Sequence, residues 1–479
     1  MVIASAMQPI WRFMVENNTQ LKEMIRSMVI DLLQGQKQEA ASSQPVKQAP
    51  RGQVEPGVFD TVDDAIQAAK AAQARFEDCT LATREKVIAD IRATMRPRVQ
   101  ELAQKTVEET GMGRVADKVL KLNLTLDKTP GVEDLVTECE TGDNGMTLYE
   151  LSAYGVIGAI TPSTNPAETL ICNTIGMLAA GNAVFFSVHP GAKHLSRLLV
   201  SELNQIIAKS IGIENLIVTL REPSIESAQE MMLHPDVSLL VVTGGPGVVK
   251  QALQSGKKVI GAGAGNPPAF VDETADIKKA AQDIVLGASL DNNILCIAEK
   301  SVVAMRQIEP QLVQEMVKAG CVLIDNQQDI QRLVDLTVLP NGTPNKKFVG
   351  KNASVILDAA HIPYNGDPRL IIMRTPKDHP FAVIEMLMPI LPVVTVDSFD
   401  EGLDVCLMLE AGLHHTATMH SLNMERLNRM ARKMKTSIFV KNGPSYAGLG
   451  FSGEGTTTFT IATPTGESTT SARCFARRR

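Results

Sequence analysis

Apolar and polar residues follow two different patterns along the chain, one typical of strands and one typical of helices. From about residue 148 onward, short apolar runs typical of strands alternate with stretches in which apolar residues recur at three- and four-residue steps, as on one face of a helix. The predicted strands are 156–160, 183–186, 216–220, 237–242 and 258–260, and the predicted helices are 167–180, 192–209 and 225–233. This succession predicts an α/β fold with a parallel, doubly wound sheet covered by helices.

The same patterns divide the chain into four segments. Residues 1–52 contain an amphipathic helix at 18–34, which suits docking on a partner or packing on its own or a sister subunit, and then a linker whose composition favours a flexible tether. Residues 53–268 carry the first α/β succession and residues 269–440 carry a second one. Residues 441–479 end in a Thr-rich extended tail, which we expect to act as an oligomerisation strand.

Composition excludes several classes of protein. The 47 Lys and Arg residues against 53 Asp and Glu residues leave a net charge of −6, so no basic field attracts nucleic acid. No apolar run is long and uninterrupted enough to span a membrane, and the N-terminus lacks the features of a secretory signal. The seven cysteines include no CxxC pair, which argues against a disulfide framework and a zinc cluster. We therefore expect a cytoplasmic protein with small-molecule ligands.

One cysteine lies where a nucleophile is expected. Cys296 follows a predicted helix and precedes a predicted strand, whereas Cys172, Cys321 and Cys406 lie within predicted elements. The segment 261–268, which we expect to face Cys296, contains no carboxylate. A thioester formed on this cysteine would therefore lack a built-in base to activate water. Structural burial of the thiol remains the alternative.

A glycine turn follows the predicted strand 237–242. Thr243, Gly244 and Gly245 connect this strand to a helix start, where backbone amides and the positive end of the helix could bind a dinucleotide pyrophosphate. Glycine turns of this kind are also common for steric reasons alone, so both interpretations stay open.

A second strand-to-helix junction lies at the end of the predicted strand 156–160. Thr161, Pro162 and Ser163 form the turn, at the edge where open α/β sheets place their ligands. Asn165 follows, and its amide could donate to an oxyanion as a carbonyl carbon becomes tetrahedral. Ordinary turn and capping chemistry is the alternative for this asparagine.

Two further polar features need an interpretation. His414, His415 and His420 match no familiar metal-binding spacing, so we predict no metal site. Glu385 is a carboxylate within an apolar run and needs a partner, either a protein group or a ribose hydroxyl.

Taken together, Asn165, the Thr243 turn, Cys296 and Glu385 resemble, in order, the signature positions of the aldehyde dehydrogenase superfamily. The resemblance extends from about residue 57 to the C-terminus and is greatest to the CoA-acylating branch, the propionaldehyde and acetaldehyde dehydrogenases of bacterial microcompartments. It implies an aldehyde-dehydrogenase-like fold with a Rossmann-like NAD-binding domain at 53–268 and a catalytic thiol domain at 269–440. The helix at 18–34 with its tether resembles the encapsulation peptide of those enzymes.

The resemblance also implies residue roles. Cys296 would be the nucleophile and Asn165 the side-chain half of the oxyanion hole. Glu385 would bind the nicotinamide ribose. The cofactor-binding set would comprise Thr161, Pro162, Ser163, His189, Thr243, Gly244, Gly245, Gly261 and Glu385.

Two positions depart from the hydrolytic members of the superfamily. His189 replaces the lysine that binds the adenosine ribose, and Gly261 stands where those members have the glutamate base. The resemblance therefore implies a short-chain aldehyde, propionaldehyde first, oxidised with NAD and released to CoA as acyl-CoA. A hydrolytic dehydrogenase and a catalytically silent scaffold are the alternatives. Homodimer or homotetramer, NAD or NADP, and docking of the N-terminal helix on a shell protein stay open.

Overall fold

Parallel strands dominate the structure. The computed structural model describes residues 55–479, and the predicted helix at 18–34 and its tether lie outside the described residues. The strands are β1 (Val58–Phe59), β2 (Glu138–Gly142), β3 (Gly145–Tyr149), β4 (Leu151–Ala153), β5 (Val156–Thr161), β6 (Ala183–Val188), β7 (Ile217–Leu220), β8 (Val237–Thr243), β9 (Lys258–Ala262), β10 (Pro268–Val271), β11 (Ser301–Met305), β12 (Cys321–Leu323), β13 (Leu370–Arg374), β14 (Ile390–Val396), β15 (Thr416–His420), β16 (Ile438–Lys441), β17 (Ile461–Ala462), β18 (Ser468–Thr469) and β19 (Ala476–Arg478).

Helices connect and cover these strands. They are α1 (Val62–Glu77), α2 (Leu81–Met95), α3 (Val99–Thr110), α4 (Val115–Lys128), α5 (Pro166–Ala179), α6 (Lys193–Ile211), α7 (Ile225–Leu233), α8 (Pro246–Leu253), α9 (Ile277–Ser289), α10 (Glu309–Lys318), α11 (Gln327–Thr337), α12 (Ala353–Ala359), α13 (Pro380–Val383), α14 (Phe399–Glu410) and α15 (Met424–Met434). None of the helices in the described part of the chain is long and apolar enough to cross a membrane.

The strands form two large parallel sheets. The first has six strands in the order β1-β7-β6-β5-β8-β9, so the chain moves outward from β5 in both directions. The second has seven strands in the order β12-β13-β14-β11-β10-β15-β16. Both orders require crossover connections, and the helices supply them. The predicted α/β class with a parallel, doubly wound sheet is confirmed.

Burial explains why these segments form these elements. Every residue of β6 and of α5 is buried, as expected for a strand and a helix in the middle of a covered parallel sheet. Apolar side chains from both faces of the first sheet join one core, and the second sheet builds its own. The first sheet therefore packs on one core, whereas β13 and β14 of the second sheet contribute to two separate apolar clusters.

The C-terminal tail is less extended than the sequence suggested. It contains the short hairpin β17–β18 and then β19, which pairs antiparallel with β4 of the same chain. Just before this hairpin Thr457, Thr458 and Thr460 are buried, and their backbone lies in irregular structure. The tail thus pairs as a strand within the chain, and its role between subunits stays a prediction.

Candidate active site

An unusual backbone conformation positions the candidate nucleophile. Asp291, Asn292 and Asn293 have φ angles of 50°, 57° and 66°, so three consecutive non-glycine residues are left-handed. Left-handed residues of this type persist only where the surroundings determine their conformation. Cys296 follows in the turn between the short helix Leu290–Asn293 and β11, within neither element, as predicted.

Side chains from distant segments hold this loop. Asp291 accepts from the Arg114 backbone at 2.8 Å and from Lys118 Nζ at 2.9 Å. Asn292 donates to the carbonyl of Gly350 at 2.9 Å. Lys300 Nζ, at the far end of the loop, donates to the carbonyl of Asn293 at 2.7 Å and to its amide oxygen at 2.6 Å. Hydrogen bonds from several elements therefore fix the path of the chain up to the cysteine.

The segment 261–268 packs against the cysteine, as the sequence predicted. A Cβ atom at Gly265 would lie 2.7 Å from the carbonyl oxygen of Cys296 and 2.8 Å from Cγ of His415. These separations leave no room for a side chain. Gly265 is therefore the residue through which the segment faces Cys296.

The environment of Cys296 favours its neutral thiol. Burial raises the pKa of Cys296 to about 12, with the nearby carboxylate of Glu385 contributing to the increase. The ammonium of Lys300 and the backbone amides of Cys296 and Ile297 act in the opposite direction. A cation that enters beside the sulfur would therefore increase the thiolate fraction.

Asn165 lies at the first junction, and its side chain does not cap the following helix. It occupies the N-cap position of α5, yet its amide makes no cap hydrogen bond. Instead Oδ1 accepts from Lys121 Nζ at 2.5 Å, and Nδ2 donates weakly to the Thr164 hydroxyl at 3.3 Å. The capping interpretation of this asparagine is wrong, and its amide nitrogen is the group available to a ligand.

Two carboxylates lie near the cysteine loop, the buried Glu299 and the half-buried Glu385. Glu385 accepts from the Gly265 amide at 3.2 Å, and burial raises its pKa although Lys300 opposes this effect. Glu299 accepts from the Ser445 amide at 2.8 Å and from its hydroxyl at 2.7 Å, and burial raises its pKa to about 7. The two oxygens of Glu299 thus bind Ser445, whereas Glu385 stays partly exposed and able to accept further donors.

The predicted cofactor-binding turns lie at the carboxyl ends of β5 and β8. A Cβ atom at Gly245 would meet no atom within 4 Å, so the helix start is open to a ligand. The Thr161 hydroxyl is buried and has no hydrogen-bonding partner among residues 55–479. Both observations fit a dinucleotide phosphate and ribose at this edge.

The other residues of the predicted set lie close by in the chain. Pro162 and Ser163 form the turn after β5, and both are half-buried. Thr243 contacts the Thr460 hydroxyl at 2.8 Å, which fixes the end of β8, and Gly244 donates to the carbonyl of Ala262 at 3.2 Å. These contacts shape the turn next to the open helix start.

His189 and Gly261 occupy separate surroundings. His189 follows β6, and its Nδ1 accepts from the Gly191 amide at 3.0 Å. Gly261 lies in β9, where a Cβ atom would be 2.9 Å from Cγ1 of Val249. The position that the resemblance assigns to the hydrolytic base is therefore closely packed.

His415 is among the residues of this site that the sequence patterns missed. His415 is buried, its pKa is lowered to about 4 by burial and then by the charge of Lys300, and it is therefore neutral near pH 7. Its Nε2 has no hydrogen-bonding partner within the described chain, and its ring shares the contact with Gly265. Sequence alone offered this histidine only as part of a weak metal motif. No group of three or more His, Cys, Asp or Glu side chains among residues 55–479 is arranged to hold a metal.

Comparisons with known proteins show the family of the chain. The model of the aldehyde dehydrogenase family matches residues 33–462. A CoA-propanoylating propanal dehydrogenase of Salmonella typhimurium is 51% identical over 464 residues, which cover 97% of each chain. An acetylating acetaldehyde dehydrogenase of Escherichia coli is 47% identical and covers 89% of this chain and 92% of its own.

Solved structures of relatives resemble this chain in both fold and sequence. The propionaldehyde dehydrogenase of Rhodopseudomonas palustris, with bound CoA and an acylated cysteine, has a TM-score of 0.87 and 50% identity, covering 89% of this chain and 98% of its own. The propionaldehyde dehydrogenase from the fucose utilisation microcompartment of Clostridium phytofermentans has a TM-score of 0.87 and 48% identity, over 89% and 98%. The chain therefore belongs to the aldehyde dehydrogenase family, in its CoA-acylating branch.

Proposed function

We propose that this protein is a CoA-acylating aldehyde dehydrogenase that converts a short-chain aldehyde, NAD and CoA into acyl-CoA and NADH. The observation that carries the proposal is the contact between the Cys296 loop and Gly265, which sets a segment without carboxylates against the cysteine. The names of the Salmonella and Rhodopseudomonas relatives support propanal as the aldehyde.

In this proposal the Cys296 sulfur attacks the aldehyde carbonyl to form a thiohemiacetal. The Nδ2 amide of Asn165 and the backbone amide of Cys296 donate to the developing oxyanion. Loss of one such donor typically costs ~3 to 4 kcal/mol of transition-state stabilisation. Because Lys121 donates to the amide oxygen of Asn165, the amide nitrogen points away from Lys121 and would be the atom that donates to the oxyanion.

Residues at the sheet edge would hold the nucleotide. The open helix start at Gly245 suits its pyrophosphate, and the Thr161 hydroxyl is an additional donor. Glu385 would accept hydroxyls of the nicotinamide ribose. NAD, when bound, supplies the hydride acceptor that turns the thiohemiacetal into an acyl thioester on Cys296, and the positive nicotinamide ring would favour the thiolate.

The second half-reaction transfers the acyl group from Cys296 to the thiol of CoA. Water is a poor nucleophile without a base; the segment 261–268 offers no carboxylate to activate it, and the proposal assigns Glu385 to the nicotinamide ribose. The CoA thiol would lose its proton to solvent and react as the thiolate, because an imidazole with a pKa of about 4, that of His415, is too weak a base to accept this proton. The thioester bond is thereby conserved in the product.

Product analysis tests the function. We expect propanal with NAD and CoA to give equimolar NADH and propanoyl-CoA, measured by absorbance and mass spectrometry. Without CoA, NADH formation should stop near one equivalent per active site. Sustained release of propanoic acid without CoA would instead establish a hydrolytic dehydrogenase.

Paired cysteine variants test the site. Cys296→Ala should abolish NADH formation because it removes the nucleophile. Cys172→Ala is the matched control, because Cys172 is buried within α5. Activity retained in Cys296→Ala would refute the assignment of the nucleophile.

We further propose roles for the segments of the chain. Residues 53–268 would bind NAD, 269–440 would provide the thiol, and 441–479 would return to the first sheet and contribute to an oligomer. Residues 1–52 would dock on a shell protein inside a bacterial microcompartment of the cytoplasm, as suggested by the microcompartment origin of the Clostridium relative. A chain shortened by these 52 residues should keep its turnover and lose co-purification with shell protein.

A further inference from the structure

A buried cluster of four charged side chains lies behind Asn165, and the mechanism above assigns it no role beyond one contact. Lys118 and Lys121 project from α4, Glu168 from α5 and Asp291 from the left-handed loop, and each is at most 1% exposed. Two positive and two negative charges balance within the cluster. Burying four charges is costly for stability alone, so their arrangement invites a functional explanation.

Lys121 contacts both halves of the candidate catalytic machinery. Its Nζ lies 2.5 Å from Asn165 Oδ1, 2.6 Å from Asp291 Oδ2 and 2.9 Å from Glu168 Oε1. An ammonium group only donates, so the atom of the Asn165 amide that faces it must be the oxygen. The contact therefore fixes which way the amide points and leaves Nδ2 on the opposite side.

The same ammonium reaches the loop that carries the nucleophile. Asp291 lies five residues before Cys296 in the chain, with its side chain shared by Lys121 and Lys118. Its backbone amide donates to Asp117 at 2.9 Å. One side chain, Lys121, thus joins the oxyanion donor to the first residue of the left-handed turn.

The charge of Lys121 is also suited to strengthen the donor. Burial disfavours the charged ammonium, but Asp291 and Glu168 together outweigh it and raise the pKa of Lys121, so the side chain stays protonated. A positive charge next to the amide oxygen polarises the amide and makes its N–H groups better donors.

We propose that Lys121 is a positioning residue for oxidation at Cys296: it orients and polarises the Asn165 amide as the oxyanion donor and ties it, through Asp291, to the nucleophile loop. This inference rests on the proposed function. Lys118 differs from Lys121 in one respect that makes it the matched control. It contacts Asp291 and the carbonyl of Thr164 but not the Asn165 side chain.

A double-mutant cycle on kcat for NADH formation tests the proposal. Lys121→Met should lower kcat about 100-fold or more, with KM for the aldehyde changed only a few-fold, as expected for loss of an oxyanion donor. In an Asn165→Ala background the same change should cost less than about threefold, because the amide it acts on is gone. Lys118→Met should lower kcat by the same factor in both backgrounds.

A second variant separates a loss of catalysis from a loss of folding. Lys121→Met combined with Glu168→Gln removes one charge of each sign and keeps the cluster balanced, and its thermal unfolding should stay cooperative while kcat stays low. If Lys121→Met costs the same factor with and without Asn165, the proposal is overturned and Lys121 only supports the fold. Failure of the proposed function would appear separately, as propanoic acid in place of propanoyl-CoA from the unaltered protein.

Discussion

At the scale of single residues, Cys296 combines a fixed backbone with a poorly ionised sulfur. Burial and Glu385 raise its pKa to about 12, while Lys300 acts in the opposite direction. Only a small fraction of thiolate is then present near pH 7 in the ligand-free protein. The reactive form would arise when a positively charged nicotinamide enters beside it, which protects the thiol from unwanted chemistry in between turnovers.

This raised pKa predicts the pH dependence of alkylation. Since only the thiolate reacts, the rate of Cys296 carboxamidomethylation by iodoacetamide should rise about tenfold per pH unit from about pH 7 to pH 10 without reaching a plateau. Peptide mass spectrometry would follow Cys296 specifically, with Cys296→Ala as the blank. A plateau below about pH 9 would contradict the pKa assignment.

Gly265 provides a second prediction for a single residue. Gly265→Ala should abolish turnover and lower the unfolding temperature, because the new methyl group would overlap the Cys296 carbonyl and the His415 ring. Gly263→Ala is the control, since its methyl group would meet only the ring of Pro464, with Cγ nearest at 3.2 Å. Equal activity of the two variants would show that the loop tolerates displacement.

The sequence identified some of these residues and missed others for a physical reason. Cys296, Asn165 and Glu385 could be singled out because each stands at an element boundary or in an apolar run. Lys121 and His415 looked like ordinary residues of a helix and of a weak histidine cluster. Their contacts join residues 44 apart for Lys121 and Asn165, and such pairings depend on how the sheets and helices pack.

At the scale of elements, β15 is flanked by two buried histidines. His415 precedes the strand and His420 ends it, and burial lowers the pKa of each to about 4, with Lys300 and Lys279 adding to the effect. In the unfolded chain both would titrate near the ordinary histidine value of about 6.5. Below about pH 6.5 the unfolded chain binds protons at these histidines that the folded chain does not bind. Their contribution to the free energy of unfolding is therefore fully present above that pH and decreases as the pH falls toward about 4.

His420→Gln should therefore flatten the pH dependence of the free energy of unfolding. Each histidine accounts for up to ~3 kcal/mol of the loss between about pH 7 and pH 4. Urea unfolding across this range measures the effect, and His361→Gln, at an exposed position, is the control. An unchanged slope in His420→Gln would show that other groups govern the acid sensitivity.

Elements were more predictable than the tail that follows them. Helix 225–233 was predicted at its observed bounds, and the five predicted strands lie within two residues of β5 to β9 at either end. Apolar periodicity suffices there because the sheet is buried on both faces. In the tail, Thr457, Thr458 and Thr460 are buried polar residues, and no hydrophobic period records that packing.

At the scale of the whole molecule, an exposed hairpin stands out among residues 55–479. The hairpin of β2 and β3 is almost entirely exposed, with Met146 at 64% and Leu148 at 49% exposure. An isolated two-stranded hairpin is marginally stable in water. We therefore expect the hairpin to pack on another subunit in a homodimer or homotetramer.

A pair of substitutions on one face of the hairpin tests this expectation. Met146→Asp with Leu148→Asp should shift the protein to a smaller oligomer, measured by light scattering after size-exclusion chromatography, because charges would be placed in an apolar contact. Thr147→Asp, on the opposite face of β3, is the control. An unchanged mass in the double variant would exclude the hairpin from the assembly.

Gly265, which contacts the Cys296 loop, and Gly261, at the position that the resemblance assigns to the hydrolytic base, also determine how readily an enzyme of this design could be re-engineered to release acids. A glutamate at position 265 has no volume to occupy, and one at position 261 would collide with Val249 unless that neighbour were also made smaller. At least two simultaneous substitutions are thus needed to change the product from acyl-CoA to free acid. A laboratory selection that samples one substitution at a time should therefore rarely convert this enzyme into one that releases acids.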